Sequence, residues 1–435
     1  MELSQSDLKT LGRWRRSTFL VVIFGYIGYY LVRQNLPAAF PLMQQAMHFS
    51  NSQLGLIAAS SEIVYAIGKF LNGPLADQLG AKKIFLIGLA GGIVCNLAFA
   101  FGSSLLWFMV VWCLCRYFLS MGWGGVAKTI GAWYAPEKHG TVMGWVTLSF
   151  QFGGVLATLF AAWLVSLGQS WDKLFIYPAL LSTALWLWAC FGLKQAPGDV
   201  IPGADLGHSR HIPLADFGSG EKPGTGAIIR TLLGLRIFRY LLVFGFFATF
   251  LRSIFAFWMP KFLVDIGMGQ ASAIFNSALL PFLGCIGTIL LGWYTDTYAR
   301  RNRARPMWIM LVGLFFSLVG IALLAEGGPG FHLPIVILLG LSGFFLAGPD
   351  SMVVGALTLD IAGTRAAGTC SGFIDGIGYL GGALATWGAG RLSDSLGWSQ
   401  VFWALAACAL LSVAAAMLMS REFVAQQAGP VVSGG

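Results

Sequence analysis

Long runs of apolar residues alternate along the chain with short polar clusters. Twelve such runs stand out, at 17–40, 52–75, 83–102, 105–128, 140–166, 173–193, 237–263, 270–294, 306–326, 333–358, 367–390 and 399–419. A helix crossing the hydrocarbon core needs about 20 mainly apolar residues, and each run is near that length. The pattern predicts an all-α membrane protein of twelve transmembrane helices. Two runs are interrupted by arginine. Arg33 follows Gly25-Tyr26-Ile27-Gly28-Tyr29-Tyr30-Leu31-Val32 in the first, and Arg252 lies in Phe250-Leu251-Arg252-Ser253-Ile254 in the seventh. A charge at the centre of a spanning helix costs about 2.5–3.5 kcal/mol on insertion scales, so each arginine needs a compensating role.

Composition agrees with the membrane reading. Of 435 residues, 57% are hydrophobic and only 10% charged, against about 25% charged in soluble domains. The 57 glycines permit close helix approach, and the 16 tryptophans suit membrane interfaces. The net charge of +9 reads as loop bias: no basic, aromatic-interleaved soluble domain is present to hold a nucleic acid. Lys and Arg gather at Arg13, Arg15 and Arg16, at Lys82 and Lys83, at Lys138, between Lys194 and Arg239, and from Arg300 to Arg305. The alternate loops are nearly bare, so both termini are expected on the cytoplasmic side. The polar start leads straight into a full-length span, and no cleavable signal peptide is expected. Cys95, Cys113, Cys115, Cys190, Cys285, Cys370 and Cys408 all fall in apolar runs and read as buried free thiols, with neither metal nor disulfide spacing.

The chain also repeats. Arg33 and Arg252 are 219 residues apart, as are Pro41 and Pro260, Gly73 and Gly292, and Asp77 and Asp296. Towards the end of each half the offset becomes 228: Gly140 matches Gly368, Gly144 matches Gly372, and Gly153-Gly-Val-Leu-Ala-Thr158 matches Gly381-Gly-Ala-Leu-Ala-Thr386. This predicts a six-helix half at 1–194, a linker at 195–235 and a second half at 236–435. Six is even, so the halves share one orientation, related by an axis along the membrane normal. The two arginines then belong at matching depth. The linker is rich in Pro and Gly, with a surface helix expected near Ala227–Leu235; His208, Arg210 and His211 read as solvated rather than metal-binding.

Two six-helix halves with Gly73-Pro-Leu-Ala-Asp77-Gln-Leu-Gly80-Ala-Lys82 after the second run resemble the major facilitator superfamily of secondary transporters. Tyr29-Tyr30-Leu31-Val32-Arg33-x-Asn35 resembles its organophosphate:phosphate antiporter family, which includes glycerol-3-phosphate and hexose-phosphate transporters. Tyr65-x-x-x-Lys69-Phe70, Met121-Gly122-Trp123, Ala366-Ala-Gly-Thr369 and Gly378-Tyr379-Leu380-Gly381-Gly382 are similar too. In that family one arginine from each half grips the phosphate; the resemblance implies that these are Arg33 and Arg252. It places Tyr26, Tyr30, Tyr65, Lys69, Trp123 and Tyr379 around the binding cavity, makes Gly73, Asp77, Gly80 and Asp296 gating-loop residues, and implies a monomer in a bacterial inner (plasma) membrane, surrounded by lipid and without a cofactor. There are departures. Gln34 stands where the family has lysine, Gly124-Gly125-Val126-Ala127 follows Trp123 in place of a Pro-Pro-Cys-Gly sequence, and Phe150 replaces a histidine of the glycerol-phosphate members.

Guanidinium presents forked donors matched to phosphate oxygens and stays charged at working pH. Two of them could neutralise a phosphate dianion. An empty carrier holding two like charges would resist closure, and obligatory exchange of one phosphate species for another would follow. Lys69 either faces the cavity or reaches to the membrane face; Asp77 and Asp296 suit helix caps better than ligands. Glu62, Arg116, Asp350 and Asp375 are charges where family members are expected neutral. Glu62 and Arg116 either pair or serve coupling and selectivity. Asp375, four residues before Tyr379 and so on one helix face with it, either carries a proton, meets a cationic group of the substrate or partners an arginine. The expected function is carriage of a small phosphorylated organic anion in exchange for inorganic phosphate. Proton-coupled symport of organic anions such as sugar acids, and a transporter-like sugar-phosphate sensor, are the alternatives. No nucleophile–base pair or metal-ligand spacing points to an enzyme.

Overall fold

A computed structural model describes residues 4–134, 136–204, 225–299, 302–354 and 356–428. Every regular element among them is helical. The first half holds α1 (Gln5–Leu31), α2 (Asn35–Met47), α3 (Asn51–Leu79), α4 (Ala81–Ala100), α5 (Leu105–Leu119), α6 (Gly122–Trp133), α7 (Pro136–Ser166) and α8 (Lys173–Gly192). After them come α9 (Thr225–Gly234), α10 (Arg236–Asp265), α11 (Gln270–Ser277), α12 (Leu279–Tyr298), α13 (Ala304–Leu324), α14 (His332–Val354), α15 (Ala356–Leu396) and α16 (Trp398–Ala428). Each of the twelve expected spans falls on one helix or on two successive ones. Among the described residues, nine helical stretches are long and apolar enough to cross a membrane.

The chain divides into two compact units. One comprises Met1–Pro213 with Phe257–Ala278, and the other Leu214–Ala256 with Leu279–Gly435. In the first unit α1 packs on α7 and α8, α4 bridges α5, α6 and α8, and α3 lies on α5. Phe99, Phe108, Trp112 and Phe175 fill its core as tightly packed rings, with Phe99 and Phe175 stacked at 4.3 Å. The beginning of the expected linker is docked here: Ala204, Val200 and Ile201 pack against Leu11 and Trp133, and the Trp133 indole donates to the Lys194 carbonyl at 2.9 Å. Residues 205–224, including His208, Arg210 and His211, lie outside the described residues. The surface helix expected near Ala227–Leu235 is α9.

In the second unit α14 is central, packed on α12, α13 and α15, while α16 covers α13. The internal repeat reappears as packing within each unit. A Cβ at Gly153 of α7 would stand 3.4 Å from Ile27 Cα and 3.2 Å from Tyr30 Cβ of α1. A Cβ at Gly381 of α15 would stand 2.9 Å from the Phe246 carbonyl oxygen, and one at Gly378 2.6 Å from Thr249 Oγ1, both on α10. Ile27 and Phe246 are 219 residues apart, as are Tyr30 and Thr249. In lipid, helices gain little from burying apolar surface against each other, so small residues that admit close backbone contact carry the association.

Candidate functional site

The first-unit site begins at a break. The opening run does not form one helix: α1 stops at Leu31, and Val32, Arg33 and Gln34 separate it from α2. The cause lies four residues on. Pro37 has no N–H to donate to the Arg33 carbonyl, and its ring would collide with that carbonyl in a continuous helix. It is tolerated in the first turn of α2, where the N–H would be unsatisfied in any case. The equivalent residue in the second half is Ala256, and α10 runs unbroken through Arg252. Two arginines aligned by the repeat are thus carried by different local backbones.

A break inside a span frees backbone polar groups that lipid cannot satisfy. Buried Asn96 of α4 answers this. Its Nδ2 donates to the Val32 carbonyl at 2.8 Å and to the Gly92 carbonyl at 2.9 Å. Its Oδ1 accepts from Asn35 Nδ2 at 2.5 Å, and Asn35 also donates to the Leu174 carbonyl at 3.2 Å. Four segments are therefore tied at the point where Arg33 leaves the backbone.

Arg33 turns into an aromatic cluster. Its Nη1 donates to the Tyr65 hydroxyl at 3.4 Å, and its guanidinium lies 5.0 Å from the Tyr65 ring and 5.5 Å from that of Tyr30. Tyr26 stands 5.9 Å from both Tyr30 and Trp123, centroid to centroid. Tyr65 on α3 also receives Lys69 Nζ at 5.5 Å and the Arg116 guanidinium, from α5, at 4.2 Å. Lys69 lies one turn beyond Tyr65 and turns back towards its ring, not out to the membrane face. Glu62, one turn before Tyr65, pairs with Arg116; the two side chains are 3% and 1% exposed. One tyrosine ring therefore carries three cations, each such contact being worth about 0.5–2 kcal/mol. Glu62 opposes Arg116, and Arg33 and Lys69 approach the same ring, so cationic groups converge on one point of the first unit. Tyr29, absent from the expected site, anchors the cluster from behind: its hydroxyl donates to the Phe85 carbonyl at 2.6 Å.

The second-unit site is plainer. Arg252 Nε lies 3.3 Å from Asp350 Oδ2 of α14, and its guanidinium lies 5.7 Å from the Tyr379 ring of α15. This pair is open, with side chains 39% and 23% exposed. The pair is less enclosed than Glu62–Arg116, although the Arg252 Nε that meets Asp350 is itself buried. Asp375 stands one turn before Tyr379 on α15 and is partly buried. Gly80 caps α4 at φ +84°, a left-handed conformation that glycine adopts without strain. The side-chain environments of Gly73, Asp77, Phe150, Asp296 and Ala366–Thr369 lie outside the described residues. Among the described residues no cluster of His, Cys, Asp and Glu could hold a metal ion.

Residues 22–386 match the Major Facilitator Superfamily. The chain belongs to this family. It is a multi-pass secondary transporter of the superfamily, whose members are carriers and not enzymes. It is 28% identical over 417 residues to the probable hexose phosphate transport protein of Chlamydia pneumoniae, covering 92% of this chain and 90% of that one. It is 26% identical to the glycerol-3-phosphate transporter of Bacillus subtilis, over 92% of this chain and 91% of that one. The membrane sensor protein UhpC of Escherichia coli is also 26% identical, over 89% of this chain and 88% of the sensor. Among solved facilitators, a bacterial homologue of the human lysosomal transporter Spinster superposes with a TM-score of 0.78 at 15% identity, over 96% of this chain and 99% of that one. That likeness concerns the fold alone.

Proposed function

We propose that this facilitator carries a small phosphorylated organic anion by alternating access, in exchange for inorganic phosphate. Arg33 and Arg252 would bind the phosphate group. The observation that carries the reading is the Arg33 site, a guanidinium and an ammonium gathered on Tyr65 within a spanning segment. A forked cation so placed suits phosphate oxygens. The 219-residue repeat supports Arg252 as its counterpart, and hexose-phosphate and glycerol-3-phosphate transporters among the relatives support the substrate class. Each chain holds both arginines, so a monomer suffices. The distribution of Lys and Arg supports cytoplasmic termini, and the bacterial relatives support a bacterial inner membrane.

The test is uptake of labelled phosphate and of glucose 6-phosphate into vesicles holding the purified protein. Preloading with unlabelled phosphate should accelerate entry, and Arg33→Lys and Arg252→Lys, which keep charge and lose the fork, should each abolish it. Equal uptake by empty and preloaded vesicles would refute exchange; normal uptake by both lysine variants would refute the grip.

The second reading, proton-coupled symport of an organic anion, draws on Asp350. A carboxylate beside Arg252 competes with an incoming anion, and a proton on it would remove that competition. Uptake driven by an imposed pH gradient in the absence of internal phosphate would favour this reading.

A further inference from the structure

Helices α12 and α13 both pack on α14 but touch each other sparsely. A cavity of about 770 Å³ opens beside them. Its deep part is apolar, lined by Leu290 and Leu291 of α12, Ile309 and Met310 of α13 and Phe344 of α14. Its other end is polar, with Tyr294, Tyr298, Asn302 and Arg305. The apolar spans end at Thr295 and resume at Ala304. The polar end therefore belongs at a membrane face, and the apolar end at hydrocarbon depth. Leu290, Tyr294 and Ile309, within the spans, are exposed, as is Tyr298 just beyond.

Charge narrows the occupant. Arg305 is an exposed cation, in a connection that also carries Arg300, Arg301 and Arg303 in sequence. No acidic side chain lines the cavity among the described residues. Asn302 Nδ2 donates to the carbonyl and the hydroxyl of Ser420, both at 3.0 Å, while its buried Oδ1 has no hydrogen-bond partner. The site thus offers an arginine for a phosphate beside an apolar cleft. Basic pockets between spanning helices at a membrane face select anionic headgroups.

We propose that this cleft binds one anionic glycerophospholipid of the phosphatidylglycerol type. One acyl chain lies along Leu290, Ile309 and Phe344, and the phosphate meets Arg305. The site lies outside the Arg252–Asp350–Tyr379 cluster and does not depend on what the carrier transports.

Native mass spectrometry of the purified full-length protein, supplied with equal amounts of phosphatidylglycerol, phosphatidylethanolamine and phosphatidylcholine, tests this. One phosphatidylglycerol should be retained in preference to the others. Arg305→Gln should lower its retention about fivefold, the worth of one arginine's attraction to an anionic headgroup. Arg391→Gln is the control, an exposed arginine 5.9 Å from the Trp387 ring and not part of this cleft; it should retain lipid like the parent. Met310→Trp fills the apolar end and leaves Arg305 in place, so it should lose the adduct while eluting as the parent does. Equal retention of the three lipids by the parent overturns the proposal, as does undiminished phosphatidylglycerol on Met310→Trp or on folded Arg305→Gln.

Discussion

Neutralising Glu62 should damage the protein more than removing both Glu62 and Arg116. The two side chains are 3% and 1% exposed and face each other inside the first unit. In Glu62→Gln the Arg116 charge stays buried without its counter-ion. Breaking a buried pair from one side costs about 3–5 kcal/mol, while replacing both partners is often near neutral. At 1.4 kcal/mol per tenfold, the single variant should shift the folded-to-unfolded ratio by about two to three and a half orders of magnitude. Arg116→Gln should also be destabilised, with a further loss of about 0.5–2 kcal/mol from the contact with Tyr65. The double variant should recover most of the pair's share. A double-mutant cycle on denaturant unfolding in detergent, run beside vesicle uptake, measures this. If the pair serves only the stability of the fold, the double variant should recover transport along with stability. A double variant as unstable as the sum of the singles would refute the pairing argument. A stable double variant that is inert in transport would instead give the pair a functional role, whether in placing Tyr65, in coupling or in substrate contact.

Asn96→Leu should leave the Val32 carbonyl without its side-chain donor and Asn35 with only the Leu174 carbonyl; a buried group so orphaned costs about 1–3 kcal/mol. It should also raise the KM for phosphate more than it lowers kcat, whereas Asn96→Gln, keeping the amide, should recover part of the affinity. Pro37→Ala restores a donor for the Arg33 carbonyl and favours a continuous helix; phosphate affinity should fall with stability unchanged or raised, and equal affinity would show that the break does not place Arg33. Asp350→Asn removes the carboxylate 3.3 Å from Arg252. Under exchange it should tighten anion binding with transport retained, and under proton coupling it should abolish the response to a pH gradient, so uptake with and without the gradient separates the outcomes.

The break at Arg33 was legible in part. Pro37, four residues after Arg33, removes the donor for the Arg33 carbonyl, but Pro41, Pro178, Pro260 and Pro349 lie inside continuous helices, so a proline alone does not mark the break. The Asn96 clasp was not legible, because a lone asparagine in an apolar run has no sequence signal for which carbonyl it will meet. Tyr65 shows the same division. Its spacing from Glu62 and Lys69 puts all three on neighbouring faces of α3, but the arrival of Arg33 and Arg116 on its ring depends on how α1, α3 and α5 pack.

By itself, the sequence determined the spanning helices, the duplication, the two matched arginines and the resemblance to phosphate-ester carriers. These features are carried by hydropathy, repeat spacing and short motifs, all of which are local or periodic along the chain. The tertiary structure decided that Glu62 closes on Arg116, that Asp350 meets Arg252, and that Lys69 turns to Tyr65. A buried charge takes the partner that helix packing brings within reach; residues 54 and 98 positions apart in sequence become neighbours only when their helices do.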